Sequence, residues 1–282
     1  MDNSTVLNRI FTQTTLKEIV DNPSQSDTYI SVIKRVDVNP TSKNNGQIIS
    51  EIYSYLKNRY RNEYFYKNTL LNKLLLGVHK PTTTTALTEI PVGKSKADFV
   101  LINGKAVVYE IKTALDTFER LETQLADYYK AFDHVAVLTD KKNEIAITKL
   151  LEGTPVGIYL MTKRNQLHCV REPERYTKKL SAEEIFKVMN KEEYESLLLR
   201  FYPTLPDVQP VRYYRACKDC FCNIDLSASY SAYLEELKKR NKIIVEQYDK
   251  VPYELKSLIY FSKYRKTDYD NLCSFLNQLY EG

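Results

Sequence analysis

The stretch Glu89-Ile-Pro-Val-Gly-Lys-Ser-Lys-Ala-Asp98-Phe-Val-Leu-Ile-Asn103-Gly104-Lys-Ala-Val-Val-Tyr-Glu110-Ile-Lys112 decides how this chain is read. Two β-rich apolar runs, Phe99 to Ile102 and Ala106 to Ile111, flank Asn103-Gly104, the pattern of a hairpin. Asp98 opens the first run, and Glu110 and Lys112 close the second. Glu110 and Lys112 are two apart and share a face of the strand. Asp98 joins that face only if the loop counts three residues, Asn103 to Lys105, so that 98 stands opposite 110. A two-residue loop would pair 98 with 109 and separate the carboxylates. A glycine in the left-handed region permits the longer loop.

The flanking sequence builds an α/β pattern. Gln47 to Leu76 carries the longest helical periodicity, as one bent helix or two helices meeting near Arg61-Asn62, with Gly77 as a C-cap. After a linker at Pro81 to Thr85 and a short strand at Ala86 to Pro91 comes the hairpin. A helix over Ala114 to Phe132, capped by Asp116 or Thr117, and a strand over His134 to Leu138 follow. Helix, three strands, helix and strand imply a mixed sheet flanked by helices. Ile145 to Leu151 fits a helix or a strand, and Val156 to Leu160 with Gln166 to Val170 fits a second β-pair. From Ser181 onward the spacing is helical, with long helices expected over Asp225 to Tyr248 and Glu254 to Tyr280. The expected organisation is a poorly specified segment 1–46, a core at 47–174 and a helical C-terminal region at 175–282.

Composition excludes several classes. The chain has 282 residues, 43% of them hydrophobic, so it can build a core. No apolar run approaches the ~18 residues of a membrane span. The start, Met-Asp-Asn-Ser-Thr, has neither basic nor apolar signal-peptide regions, so a cytoplasmic location is expected. Five cysteines in this length read as reduced thiols rather than a disulfide scaffold. The net charge of +5 suits a polyanionic partner without selecting one. Seven glycines form no phosphate loop, and His79, His134 and His168 stand in no nucleophile setting.

Two carboxylates and a lysine at the end of a hairpin have a chemical use. Asp98 and Glu110 offer hard oxygens to Mg²⁺ or Mn²⁺, and the Ile111 backbone carbonyl can add a third. A metal held there lowers the pKa of bound water and offsets phosphodiester charge. Lys112 can position or deprotonate the attacking water, or stabilise developing charge. The opposing reading is a surface hairpin with an ordinary ion pair between Glu110 and Lys112.

The spacing Asp-x11-Glu-x-Lys resembles the PD-(D/E)XK nuclease superfamily, with Ala97 where that pattern has proline. Gln124-Leu-Ala-Asp-Tyr128 looks like the Gln-x-x-x-Tyr element of its exonuclease-like branches. Tyr109 to Leu121, with Gln124, Tyr128 and Phe132-Asp-His-Val135, looks like the sce7726 group of bacterial PD-(D/E)XK-like proteins. That resemblance covers residues 60–140. It implies a restriction-endonuclease-like core and a Mg²⁺-dependent nuclease acting on DNA, with RNA and a homo-oligomer left open. Asp98 and Glu110 would be metal ligands, Lys112 catalytic, and Gln124 and Tyr128 in contact with substrate or bracing the site. A further acidic residue from the preceding helix would be Glu63, with Glu51 and Glu89 as rivals. The alternative is a catalytically inactive module of the same fold that binds nucleic acid or protein.

Two other features remain. Cys217, Cys220 and Cys222 offer three thiolates to Zn²⁺ or an Fe–S cluster, with Cys169, His168 or Cys273 as a fourth ligand, or else pack as plain thiols. Lys238-Lys239-Arg240 and Lys263, Arg265 and Lys266, interleaved with tyrosines, suit backbone phosphates or a solvated helix face.

Overall fold

The computed structural model describes residues 3–22, 26–76, 83–240 and 243–281. The Gly77 cap, part of the Pro81–Thr85 linker and most of the Asn22–Ser26 loop lie outside them. Contacts divide the chain into two units, residues 1–78 with 242–282, and residues 79–241.

The first unit is helical. It holds α1 (Asn3–Arg9), α2 (Gln13–Asp21), α3 (Asp27–Arg35), α4 (Asn45–Arg59) and α5 (Glu63–Leu70), which widens into a π-type turn at Leu71–Leu76. The long periodic stretch is two helices because the Asn62 side chain accepts from the Phe65 amide and starts α5 afresh. The last residues of the chain are recruited here by side chains that bond distant backbone. Asn45 Nδ2 donates to the carbonyls of Phe275 and Gln278, each at 3.2 Å. Asn68 donates to the Tyr253 carbonyl at 3.0 Å and accepts from the Ser257 amide at 2.9 Å.

The second unit holds β1 (Thr85–Val92), β2 (Ser95–Asn103), β3 (Lys105–Lys112), α6 (Leu121–Tyr128), β4 (His134–Asp140), α7 (Glu144–Leu150), β5 (Gly157–Met161) and β6 (Leu167–Arg171). Helices α8 (Ala182–Val188), α9 (Lys191–Leu198), α10 (Pro210–Cys222) and α11 (Leu226–Lys238) follow. The chain then returns to the first unit with α12 (Val245–Tyr248), α13 (Lys256–Tyr260) and α14 (Lys266–Asn277). The two long C-terminal helices expected from 225 to 280 are thus four shorter ones. Pro252, without an N–H to give, stands in the break between α12 and α13.

The protein is α/β, with a six-stranded mixed sheet in the order β1-β2-β3-β4-β5-β6. β3, β4 and β5 run parallel, joined through α6 and α7, and the outer pairs are antiparallel. One face carries Val100, Ile102, Val108, Val137 and Ile158, buried with Leu121, Leu125 and Tyr128 of α6 and with Phe186 and Tyr233. Helix α6 starts at Leu121, seven residues later than the spacing predicts. Asp116 accepts from the Thr113 amide at 2.7 Å, closing a turn instead of capping a helix, and Leu115 stands 69% exposed rather than in the apolar stripe.

Two carboxylates lock this layer together. Asp127 of α6 accepts from the Lys94 amide at 3.1 Å, the Ser95 hydroxyl at 2.8 Å and Lys130 at 2.6 Å, gripping the β1–β2 turn. Asp133, before β4, accepts from Tyr230 of α11 at 2.7 Å and from Arg175 at 3.0 Å, with His134 Nδ1 at 2.8 Å. Burial alone raises both carboxyls, but these donors outweigh it and hold both below the usual carboxylate range.

Two expectations follow. The stability these carboxylates contribute is present above the ordinary aspartate value of about 3.9 and is lost as pH falls through their lower folded values. Urea unfolding of Asp133→Asn should show a loss of roughly 1.5–3 kcal/mol at pH 7 and a shallower decline than wild type below pH 4; parallel declines would refute the assignment. Gly93 has φ 60°, and a Cβ there would lie 2.7 Å from Asp127 Oδ1, whereas Gly104, at φ 74°, has nothing within 4 Å. Gly93→Ala should therefore cost about 1–3 kcal/mol, more than Gly104→Ala, in the same assay.

Candidate active site

The hairpin register decides whether the carboxylates meet. Asn103 pairs with Lys105 across Gly104, and Phe99 pairs with Tyr109. One step further, Asp98 stands opposite Glu110, the register that a three-residue loop requires. On the other side of β2, Thr88 pairs with Phe99 and Ile90 with Ala97, leaving Glu89 opposite Asp98. Glu89, Asp98 and Glu110 thus occupy one row across three neighbouring strands. The Glu89 and Asp98 carboxylates come within 4.8 Å of each other.

Glu89 sits in this row in an unusual conformation. Its φ is 57°, in the left-handed region that a non-glycine residue rarely enters, and its carboxylate is 3.3 Å from Lys96 Nζ. No sequence signal announces that conformation. Asp98 is half-buried and accepts from the Ile111 amide at 2.8 Å. An extended residue directs its N–H and C=O to the same neighbouring strand. The Ile111 carbonyl therefore also opens towards β2, on the Asp98 side.

Glu110 is 1% exposed, and both its oxygens are engaged. Oε1 is 2.8 Å from Lys112 Nζ, and Oε2 accepts from the Tyr128 hydroxyl at 2.6 Å. Lys112 Nζ also donates to Gln124 Oε1 at 2.8 Å. Its side chain is 12% exposed. A buried ion pair recovers its desolvation cost only when further hydrogen bonds complete it. Gln124 and Tyr128, one turn apart on α6, supply one bond to each partner. Burial, and after it the charge of Glu110, push the Tyr128 phenol far above its ordinary value, so it remains a donor. The reading of Glu110 and Lys112 as a solvated surface pair does not hold.

Glu63 and Glu51 belong to the helical unit: Glu63 lies in the first turn of α5, 2.6 Å from Lys67, and Glu51 on α4 is 2.7 Å from Lys43. Within the sheet unit, Glu89 is the acidic residue beside Asp98. Asp127, adjacent in sequence to Tyr128, holds the turn that leads into β2, a role that its position among polar helix residues does not reveal. Of the three clustered cysteines on α10, Cys217 is buried, Cys220 half-buried and Cys222 exposed. Burial raises the Cys217 and Cys222 thiols, away from the thiolate that metals bind. Among the described residues no cysteine joins two other ligand groups at metal-binding spacing, so the Zn²⁺ or Fe–S expectation finds no support in this geometry. Lys238 to Arg240 end α11, where Lys239 pairs with Glu236 at 2.7 Å and Arg240 with Glu193 at 2.6 Å.

The family model for bacteriophage P4 protein cII matches residues 56–258. The chain belongs to that family. In this cII-family chain the match takes in the whole sheet, with α5 to α12. No curated protein and no solved structure matches it. Among the described residues no helix is long and apolar enough to cross a membrane.

Removing the phenol isolates the burial argument. Tyr128→Phe leaves Glu110 Oε2 without its donor and should cost roughly 1–3 kcal/mol in thermal or urea unfolding. An unchanged stability would mean that water replaces the hydroxyl and that Glu110 is less enclosed than it stands here.

Proposed function

We propose that this cII-family chain is a divalent-metal-dependent nuclease that hydrolyses phosphodiester bonds in DNA on a restriction-endonuclease-like core. The observation that carries the reading is the lateral placement of Asp98 opposite Glu110, with Lys112 bonded to both Glu110 and Gln124. Hard carboxylate oxygens of Asp98 and Glu110, with Glu89 and the Ile111 carbonyl beside them, suit Mg²⁺ or Mn²⁺. When bound, the ion supplies charge neutralisation at the scissile phosphate and acidifies a water ligand.

The chain's own groups do the rest. An ammonium has three donors, and Lys112 spends two on Glu110 and Gln124. The third is left for a phosphate oxygen where charge develops, which favours charge stabilisation over proton abstraction as the role of Lys112. Tyr128 fixes the orientation of Glu110, and Gln124 that of Lys112, so both enter the reaction already positioned. A second reading, of a module that binds without hydrolysis, is favoured by one observation: Glu110 is almost wholly enclosed, with both oxygens already bonded.

The test is cleavage of plasmid and linear duplex DNA with Mg²⁺ or Mn²⁺, against a chelator control. Asp98→Ala, Glu110→Ala and Lys112→Ala should each lower the rate by about 10²-fold or more, the scale of losing one preorganised charge-stabilising group. Glu89→Gln and Glu63→Gln in the same panel decide which acidic residue completes the site. Activity that survives both Glu110→Ala and Lys112→Ala rules the mechanism out. Binding without cleavage under every metal favours the second reading.

A further inference from the structure

The strand ends that carry Asp98, Glu110 and Lys112 form one edge of the sheet. The connections closing that edge are the β1–β2 turn, the segment from β3 to α6, the segment from β4 to α7 and the β5–β6 turn. Each presents an exposed cation: Lys94, Arg120, Lys142 and Arg164 respectively. None of the four side chains has an ion-pair or hydrogen-bond partner among the described residues. Other cations of the same unit are neutralised: Lys96 by Glu89, Lys130 by Asp127, Lys141 by Glu144 and Arg175 by Asp133.

Local pairing keeps these cations outward. In the β1–β2 turn, Asp127 takes the Lys94 amide and Lys130 takes the remaining charge of Asp127, so no carboxylate is left for the Lys94 ammonium. After β4, Asp140 caps the Lys142 amide at 3.0 Å and Glu144 pairs with Lys141. Asp116 is likewise used by the Thr113 amide. These are separate elements, close in space only because the sheet ends together.

We infer that Lys94, Arg120, Lys142 and Arg164 form a phosphate-binding rim that lays a nucleic-acid backbone along this sheet edge, across the candidate active site. The inference rests on the nuclease reading for what lies beneath the rim. From the β1–β2 turn to the β5–β6 turn is four strand spacings, about 19 Å at 4.8 Å each. At a 3.4 Å rise per nucleotide, that faces roughly five to six nucleotides of duplex. The substrate is accordingly a polynucleotide rather than a mononucleotide or a small phosphoester. Contacts of this kind position the backbone and carry no sequence preference.

The test measures binding of a 30-base-pair DNA duplex by fluorescence anisotropy between 50 and 200 mM salt, with Ca²⁺ present. It compares wild type, the quadruple alanine variant of Lys94, Arg120, Lys142 and Arg164, the single variant Lys142→Glu, and Arg212→Ala/Arg215→Ala on α10. All four substituted side chains are exposed, and unfolding curves check that each variant folds. The quadruple variant should bind at least tenfold more weakly at 100 mM salt. Its slope of log affinity against log salt should be shallower by about 3 to 4, at 0.9 per lost phosphate contact. Lys142→Glu should weaken binding in the same direction, while the α10 pair should leave affinity and slope close to wild type. An unchanged slope in the quadruple variant, equal losses from the α10 pair, or no binding by wild type would overturn the rim. Rim-dependent binding without cleavage in Mg²⁺ or Mn²⁺ would sink the nuclease reading and leave the rim standing. Cleavage with rim-independent binding would do the reverse.

Discussion

The Glu110 carboxylate, at 1% exposure, sets the terms for the sheet unit. Glu110 loses almost all its water on folding, a cost of several kcal/mol that one counter-ion rarely recovers. The recovery here needs three groups from two elements: Lys112 on the same strand, and Tyr128 and Gln124 from α6. Helix α6 must therefore cross the end of β3 at one height and with one face turned inward. The apolar residues of that helix, Leu121 and Leu125, bury beside the same side chains. Packing and polar satisfaction impose one placement, which is how a buried polar group can specify structure as well as tax it.

The same helix holds the sheet at a second point. Asp127 precedes Tyr128 in sequence and reaches the β1–β2 turn, while Tyr128 lies 2.9 Å from the Lys96 carbonyl at the start of β2. Consecutive residues of α6 thus fix the entry to β2 and the exit from β3. Asp98 and Glu110 lie just beyond these two anchors. Their relation to each other is governed by backbone register and one helix, with no flexible connection between them.

Much of this arrangement can be read in the sequence, for reasons that are local. Asn103-Gly104 between two β-rich runs specifies a hairpin, and the shared face of Glu110 and Lys112 follows from the strand period. Gln124 and Tyr128 stand four apart, so their common face follows from the helix period. What could not be read is non-local or conformational. Leu115 and Phe118 fit a helical stripe, yet the turn closed by Thr113 and Asp116 keeps them out of the helix. The left-handed backbone of Glu89 has no glycine to signal it. The return of residues 243–281 to the first helices depends on Asn45 and Asn68 bonding carbonyls some two hundred residues away, which no window of sequence displays.

That return has a consequence for how the chain is made. The sheet unit is one uninterrupted stretch, whereas the helical unit is split between the two ends of the sequence. As the polypeptide leaves the ribosome, the strands and their covering helices are complete before the last forty residues exist, and domains fold as units during synthesis. Closing that loop costs less entropy when the intervening chain has already collapsed into a body whose ends are held. Contacts between the two segments of the helical unit can form only after the whole sheet unit has been synthesised.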